Sequence, residues 1–320
     1  MWDGDGNLRD AQANTLRHRR HRQRSQTFRI IECSRRMLPD WLHSSVMSMQ
    51  FTPIAKSDGE KLRVGSVSFL NAKPLIFGLE NTDAIDLSLD VPSRLLDGLR
   101  QQRLDVALLP VIDYQRMEGL RMLTAGGIGC DGPTLTVRIF SPVPIEKINV
   151  LACDTDSHTS VALARIILAR QFGITPEFAE LRYERRATGA KSALLLIGDK
   201  VVCEEPRDLP YQLDLGEAWK NLTGLPFVFA VWMARGGVEL RNLPQLLNEA
   251  KAAGLAHIDQ IIRQHAVPRG WPPETARKYL TQNLGFDIGP RQIEGIKLFH
   301  KLAQEQGVLM NSPRELSVVV

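Results

Sequence analysis

From Leu62 to Pro110 the chain alternates two kinds of apolar run, and that alternation confines it to an α/β fold. Leu62-Arg63-Val64-Gly65-Ser66-Val67 is short and apolar, which reads as a buried strand. Asn71 to Pro74 follows as a loop, and Leu75-Ile76-Phe77-Gly78-Leu79 opens a helix. Asp86 to Val91 alternates Leu87, Leu89 and Val91 as a strand does; Pro92-Ser93 then starts a helix carrying Leu95, Leu96 and Leu99. Val106-Ala107-Leu108-Leu109-Pro110 is the next strand. Strands separated by helices pair in parallel, with the helices on the faces of the sheet.

The pattern then changes in a way that predicts two lobes. A β-rich stretch from Thr134 to Ser141 passes Pro142 and Pro144 into a new strand at Ile148-Asn149-Val150-Leu151-Ala152. A helix begins near Ser157, with Val161, Leu163, Ile166, Ile167 and Leu168 on its buried side. Ser192 to Ile197 is another strand, and Phe227 to Trp232 a second long apolar one. Two apolar strands thus flank a smaller α/β unit. The expectation is a discontinuous plan, with lobe 1 formed by residues 61–141 and 227–320 and lobe 2 by 142–226. Each lobe is a mostly parallel sheet flanked by helices, and the two strands cross between them. The helices after Asn242 are expected to pack on lobe 1.

Composition narrows the class. Hydrophobic residues are 43% and charged ones 24% of 320, an ordinary globular balance. Residues 1–56 hold 10 Lys/Arg against 5 Asp/Glu, and the rest of the chain is near balance at 30 against 31. The run Arg17-His18-Arg19-Arg20-His21-Arg22-Gln23-Arg24 has the charge to grip nucleic acid or a membrane surface. It lacks apolar residues at helical spacing, however, so residues 1–60 read as a disordered extension and neither partner is expected. Before Lys61 there is no apolar stretch of about 7–15 residues to serve as an export signal, and no run of about 18 apolar residues occurs, so a cytoplasmic location is expected. Cys33, Cys130, Cys153 and Cys203 are scattered without CxxC or HxxC spacing, which predicts reduced thiols. Gly126-Gly127-Ile128-Gly129 lacks either phosphate-loop frame, and the seven histidines do not converge. No metal, nucleotide or other cofactor is expected. Oligomeric state is not readable.

Ligands of open α/β sheets sit beyond the carboxyl ends of the strands, so the loops there hold the candidate residues. They are Ser66, Ser68 and Asn71 after the first strand, Thr134 and Thr136 in the crossing stretch, Ser157, Thr159 and Ser160 at the helix start, and Gly198 and Asp199 after a later strand. Hydroxyls, an amide and the free N–H groups of a helix start suit a small carboxylate, which makes a small-molecule substrate the expected partner. Ser157 to Ser160 also suits plain helix capping, Asn71 a turn, and Asp199 either a hydroxyl contact or a bond to a neighbouring loop.

The ordered motifs carry more than the loops do singly. Val64-Gly65-Ser66-Val67-Ser68-Phe69-Leu70-Asn71 with Pro74-Leu75, Cys130-Asp131-Gly132-Pro133, Ser157-x-Thr159-Ser160-Val161, Leu196-Ile197-Gly198-Asp199, and Asp214-Leu215-Gly216 through Trp219 to Thr223-Gly224-Leu225-Pro226-Phe227-Val228-Phe229-Ala230-Val231-Trp232 together resemble the chorismate dehydratases of menaquinone synthesis. The resemblance covers about residues 61–300. It implies a two-lobed, type II periplasmic-binding-protein-like fold and the loss of water from chorismate to give 3-[(1-carboxyvinyl)oxy]benzoate. Because no matched motif offers His, Lys or Glu, the substrate's own enolpyruvyl carboxylate is the expected proton acceptor. Asn71 and Thr136 would be the catalytic residues that hold the reactive conformer, and Thr136 stands where such enzymes often have serine. Ser66, Ser68, Ser157, Thr159, Ser160, Gly198 and Asp199 would bind substrate.

Two rival readings stay open on the sequence. A solute-binding or sensing module of the same fold would bind a small carboxylate without turnover. The sister enzyme of the same pathway, which makes a dihydroxynaphthoate, typically opens with a Ser-Pro-Asp-Pro-Asp-like motif, whereas this chain has Ser66-Val67-Ser68-Phe69-Leu70-Asn71.

Overall fold

The computed structural model describes residues 61–153, 158–181 and 192–320, all within a unit running from Met49 to Val320. The expected extension over residues 1–60 and the candidate Ser157 lie outside the described residues.

The strands are β1 (Leu62–Ser66), β2 (Ile85–Leu89), β3 (Val106–Pro110), β4 (Leu120–Cys130), β5 (Val137–Ser141), β6 (Val150–Cys153), β7 (Glu177–Glu180), β8 (Ala193–Ile197), β9 (Tyr211–Asp214), β10 (Phe227–Arg235) and β11 (Val318–Val319). They form two sheets, ordered β11-β4-β10-β3-β1-β2 and β7-β6-β8-β5-β9. β1 pairs in parallel with β2 and β3, as the helical crossovers require. All five residues of β3 are buried, as expected for a strand covered on both faces.

Each sheet carries one antiparallel strand where the chain crosses. Phe227 pairs with Cys130, so the chain re-enters the first sheet at the end where it left, and β10 must run opposite to β4 and β3. In the second sheet Val137 pairs with Ile197, and β5 runs opposite to β8 and β9. β5 therefore belongs to the second sheet, and the first crossing is the link 131–136, not a strand ending at 141. The sequence reading missed β4, β7, β9 and β11, of which β4 is the longest. Its Gly126, Gly127 and Gly129 weaken a strand signal, yet a Cβ at Gly127 would stand 2.6 Å from the Ala230 carbonyl, so the close approach of β10 needs glycine there.

Helices complete the layers: Pro92–Arg100, His158–Phe172 and Leu215–Thr223 flank the strands, and Leu243–Ala256 packs across Leu70–Ile76. Leu70–Ile76 is a 3-10 turn, so the expected loop and helix start are one tight segment there. Among the described residues no helix is long and apolar enough to cross a membrane.

The last long helix, Pro290–Glu305, contributes the buried His300. Its Nε2 is 3.0 Å from the Val111 carbonyl, and its Nδ1 is 3.0 Å from Gln115 Nε2, so the neutral ring satisfies both nitrogens, donating to one partner and accepting from the other. Burial pushes its pKa down to about 4 from an ordinary 6.5. The unfolded chain thus binds a proton that the folded one refuses. Stability should be complete above about pH 6.5 and fall as pH drops toward 4, by up to about 3 kcal/mol. Urea unfolding at pH 7 and pH 5 checks this, with the wild type losing more over that interval than His300→Gln.

Candidate active site

A cavity of about 270 Å³ lies between the two sheets, near the lower end of the roughly 300–1,000 Å³ usual for small-molecule pockets. Its walls are largely apolar: Val67, Phe69, Leu108, Ile128, Ile197 and Phe229. Into this low-polarity space converge Asn71, Thr134, Thr136, Thr159, Ser160, Asp199, Lys200 and Tyr279. The strands deliver them by their ends: β1 leads to Asn71, the crossing link to Thr134 and Thr136, and β8 to Gly198, Asp199 and Lys200.

Seven of the ten candidate residues line this space: Asn71, Thr134, Thr136, Thr159, Ser160, Gly198 and Asp199. Two lie elsewhere. Ser66 is fully buried and its hydroxyl donates to the Val67 carbonyl at 3.3 Å, because it shares the inward parity of Leu62 and Val64 on β1. Ser68 is exposed and offers its carbonyl to the Arg269 guanidinium at 3.1 Å. Neither belongs to the lining. His158 turns the other way from its neighbours, its Nδ1 lying 3.4 Å from the buried Asp113 carboxylate.

Asn71 sits in the 3-10 turn with its Oδ1 buried and without a hydrogen-bond partner. A buried amide oxygen left so costs on the order of 1–3 kcal/mol, a cost that a donor on a bound molecule would remove. The turn is held from behind by Gly254, where a Cβ would lie 2.2 Å from the Pro74 carbonyl oxygen. Gly254→Ala should therefore destabilise the fold by about 1–3 kcal/mol and shift the Asn71 turn. A lowered melting temperature together with reduced ligand affinity would check it.

Asp199 lines the cavity and also bonds a neighbouring segment. Its Oδ1 accepts from Trp271 Nε1 at 2.9 Å and its Oδ2 lies 3.7 Å from Arg269 Nε. Trp271 in turn stacks on Tyr279, with ring centroids 5.1 Å apart and 25° between planes. Thr136 Oγ1 donates to the Tyr279 phenol at 2.8 Å, and Gly198 N donates to the Thr136 carbonyl at 2.8 Å. The residues following β8 and the segment 269–279 are thereby tied together across the cavity.

Thr134 and Thr136 owe their placement to Asp214. Its carboxylate accepts from the backbone N–H of Thr134 and Leu135 at 2.9 and 2.8 Å while capping the helix Leu215–Thr223 through Gly216 N and Glu217 N. Leu135 is held at φ 69°, a left-handed conformation that a leucine keeps only under such restraint.

The electrostatics favour an anion. Thr159 and Ser160 stand in the first turn of a 15-residue helix, whose N-terminus is positively polarised, and Lys200 stands in the lining beside Asp199. Near the Asp199 latch, burial and the Arg269 charge lower the pKa of Lys73, and burial with Lys73 and Arg269 lowers that of His265. The Lys73 and Arg269 charges stand close enough to one another to bias approach of a negative solute, while His265 stays neutral.

Sequence reasoning missed Lys200 and Tyr279. Lys200 adjoins the Gly198-Asp199 motif and was findable, since it falls in the first turn of the helix Asp199–Cys203. Tyr279, 143 residues from Thr136, gave no local signal.

A curated chorismate dehydratase of Thermus thermophilus is 29% identical over 232 residues, 65% of this chain and 83% of that one. A chorismate dehydratase of Campylobacter jejuni is 24% identical over 245 residues, 74% of this chain and 95% of that one. Among solved structures, the periplasmic aliphatic sulphonate binding protein of Escherichia coli aligns with a TM-score of 0.58 at 16% identity, covering 79% of this chain and 89% of that one. That likeness places the two sheets in the periplasmic-binding-protein fold. Residues 62–305 match the model of a family described as menaquinone biosynthesis, a span that holds both sheets but for β11 and the whole cavity lining, and the chain belongs to that family.

Proposed function

We propose that the chain is a chorismate dehydratase, forming 3-[(1-carboxyvinyl)oxy]benzoate by loss of water. The observation that carries this reading is the meeting, in one largely apolar cavity, of five residues from three of the ordered motifs, Asn71, Thr159, Ser160, Gly198 and Asp199, with Thr136 of the crossing link. Both curated relatives bear that activity in their names.

In this reading one carboxylate of chorismate lies against Thr159, Ser160 and the helix N-terminus, with Lys200 as its counter-charge. Asn71 and Thr136 face the ring, where the orphaned Asn71 oxygen accepts from the ring hydroxyl. Among the described residues the lining has one carboxylate, Asp199, and both its oxygens are engaged by Trp271 and Arg269. The enolpyruvyl carboxylate of the substrate therefore takes the ring proton. The C–H electron pair becomes a ring double bond, the ring C–O bond breaks, and the hydroxide leaves with a proton as water. Aromatisation drives the step, so the protein's task is to desolvate the site and select the conformer in which carboxylate and ring hydrogen meet. The same reading places the chain in the cytoplasm.

Incubation of the purified protein with chorismate, followed by ultraviolet absorbance, tests the reading. A time-dependent change to a benzoate spectrum is expected. A flat time course with chorismate bound would leave a binding or sensing module instead.

A further inference from the structure

We propose that Tyr279 is a positioning residue of this dehydration, holding the Thr136 hydroxyl so that it addresses the hydroxyl that leaves the ring. The proposal rests on the chorismate reading of the cavity and adds a residue that none of the motifs contains.

Three observations carry it. Tyr279 is 1% exposed yet part of the cavity lining, and its phenol pairs with a side-chain hydroxyl of that lining, not with a backbone carbonyl. Its ring is fixed by stacking on Trp271, whose indole N–H is itself held by Asp199. It begins a π-helical turn, Tyr279–Asn283, a local irregularity that recurs where a helix must aim a side chain at a site.

The chemistry follows from the inventory of donors. Burial keeps the phenol neutral by raising its pKa well above the ordinary value, with Thr136 and Asn71 as its hydrogen-bonding neighbours. A neutral phenol has one proton to give and a lone pair to receive with, and a threonine hydroxyl can do either. In this structure Thr136 donates to Tyr279. When substrate is present the bond reverses: Tyr279 donates to Thr136, and the Thr136 proton turns to the departing oxygen, whose negative charge grows as the C–O bond breaks. Tyr279 itself transfers no proton. Its contribution is to direct the one that Thr136 presents.

Tyr279→Phe keeps the ring and its stacking and removes one oxygen. Its kcat for chorismate should fall by about 10-fold or somewhat more, with KM changed by less than about 3-fold, since the interaction strengthens only in the transition state. Thr136→Ser, which retains the hydroxyl, should stay within about 3-fold of wild type, and Thr136→Val should fall at least as far as Tyr279→Phe. The decisive comparison is Thr136→Val with Tyr279→Phe against Thr136→Val alone. Removing both partners leaves no orphaned hydroxyl, so the double variant folds even if the single one does poorly. Its kcat should match that of Thr136→Val within about 3-fold, because Tyr279 acts through Thr136. A double variant that loses the product of both single effects, or a Tyr279→Phe protein with wild-type kcat, overturns the proposal while leaving the dehydratase reading intact. Absence of turnover in the wild type overturns both.

Discussion

Asn71→Ala should lower kcat for chorismate dehydration by about 100-fold or more while leaving the melting temperature nearly unchanged. The activity loss follows from the position of the amide. It lies in the cavity beside Thr136 and Tyr279, and holding the substrate in its reactive conformer is worth on the order of 100-fold, or about 3 kcal/mol. The stability half follows from the Oδ1 atom, which is buried without a partner in the folded chain. Alanine removes that unsatisfied acceptor along with the hydrogen bond to the Tyr279 phenol, so a cost and a contact of similar size are lost together. An amide retained only for capping the turn would give the reverse pattern, a drop in melting temperature with activity preserved. Steady-state kinetics and thermal unfolding of the same preparation separate the two.

Asp214→Ala should produce the largest stability loss of any single substitution considered, about 3–4 kcal/mol, seen as a fall of roughly 5–10 °C in melting temperature. Four backbone N–H groups lose their acceptor at once: Thr134 and Leu135 in the crossing link, and Gly216 and Glu217 at the helix start. An N-cap alone contributes about 1 kcal/mol. The remainder comes from the two link N–H groups and from the Arg138 guanidinium, whose Nε lies 3.6 Å from Asp214 Oδ2. Leu135 would then relax from its left-handed conformation and carry Thr136 with it. The activity should fall along with stability. Asp214→Asn, which keeps one carbonyl oxygen, should be intermediate in both. A variant with native stability and lost activity would mean that Asp214 touches the substrate and does not merely shape the link.

The sequence made the first sheet legible where short apolar runs alternate with amphipathic ones, since β1, β2 and β3 are marked by their own residues. It hid β4, because three glycines that permit close approach to β10 also erase the strand signal. Starting the β-rich stretch at Thr134 put Thr134 and Thr136 inside a strand, whereas β5 begins at Val137 and both lie in the link that Asp214 holds. Asn71, Thr159 and Gly198 could be found because each stands at the end of a recognisable element and the fold brings such ends together. Ser66 shows the limit of proximity: strand parity, visible in Leu62 and Val64, already assigned it to the interior. Tyr279 lay beyond any local reading, since its place in the cavity depends on a helical region packing back across the crossing link from the far end of the chain.

The measurement that bears most directly on the account is proton NMR of chorismate mixed with the purified full-length chain. Ring signals of the cyclohexadiene should disappear and aromatic signals of 3-[(1-carboxyvinyl)oxy]benzoate appear in equal amount, with the enolpyruvyl methylene retained and many turnovers per protein. Chorismate that binds, broadens and stays chemically unchanged would contradict it.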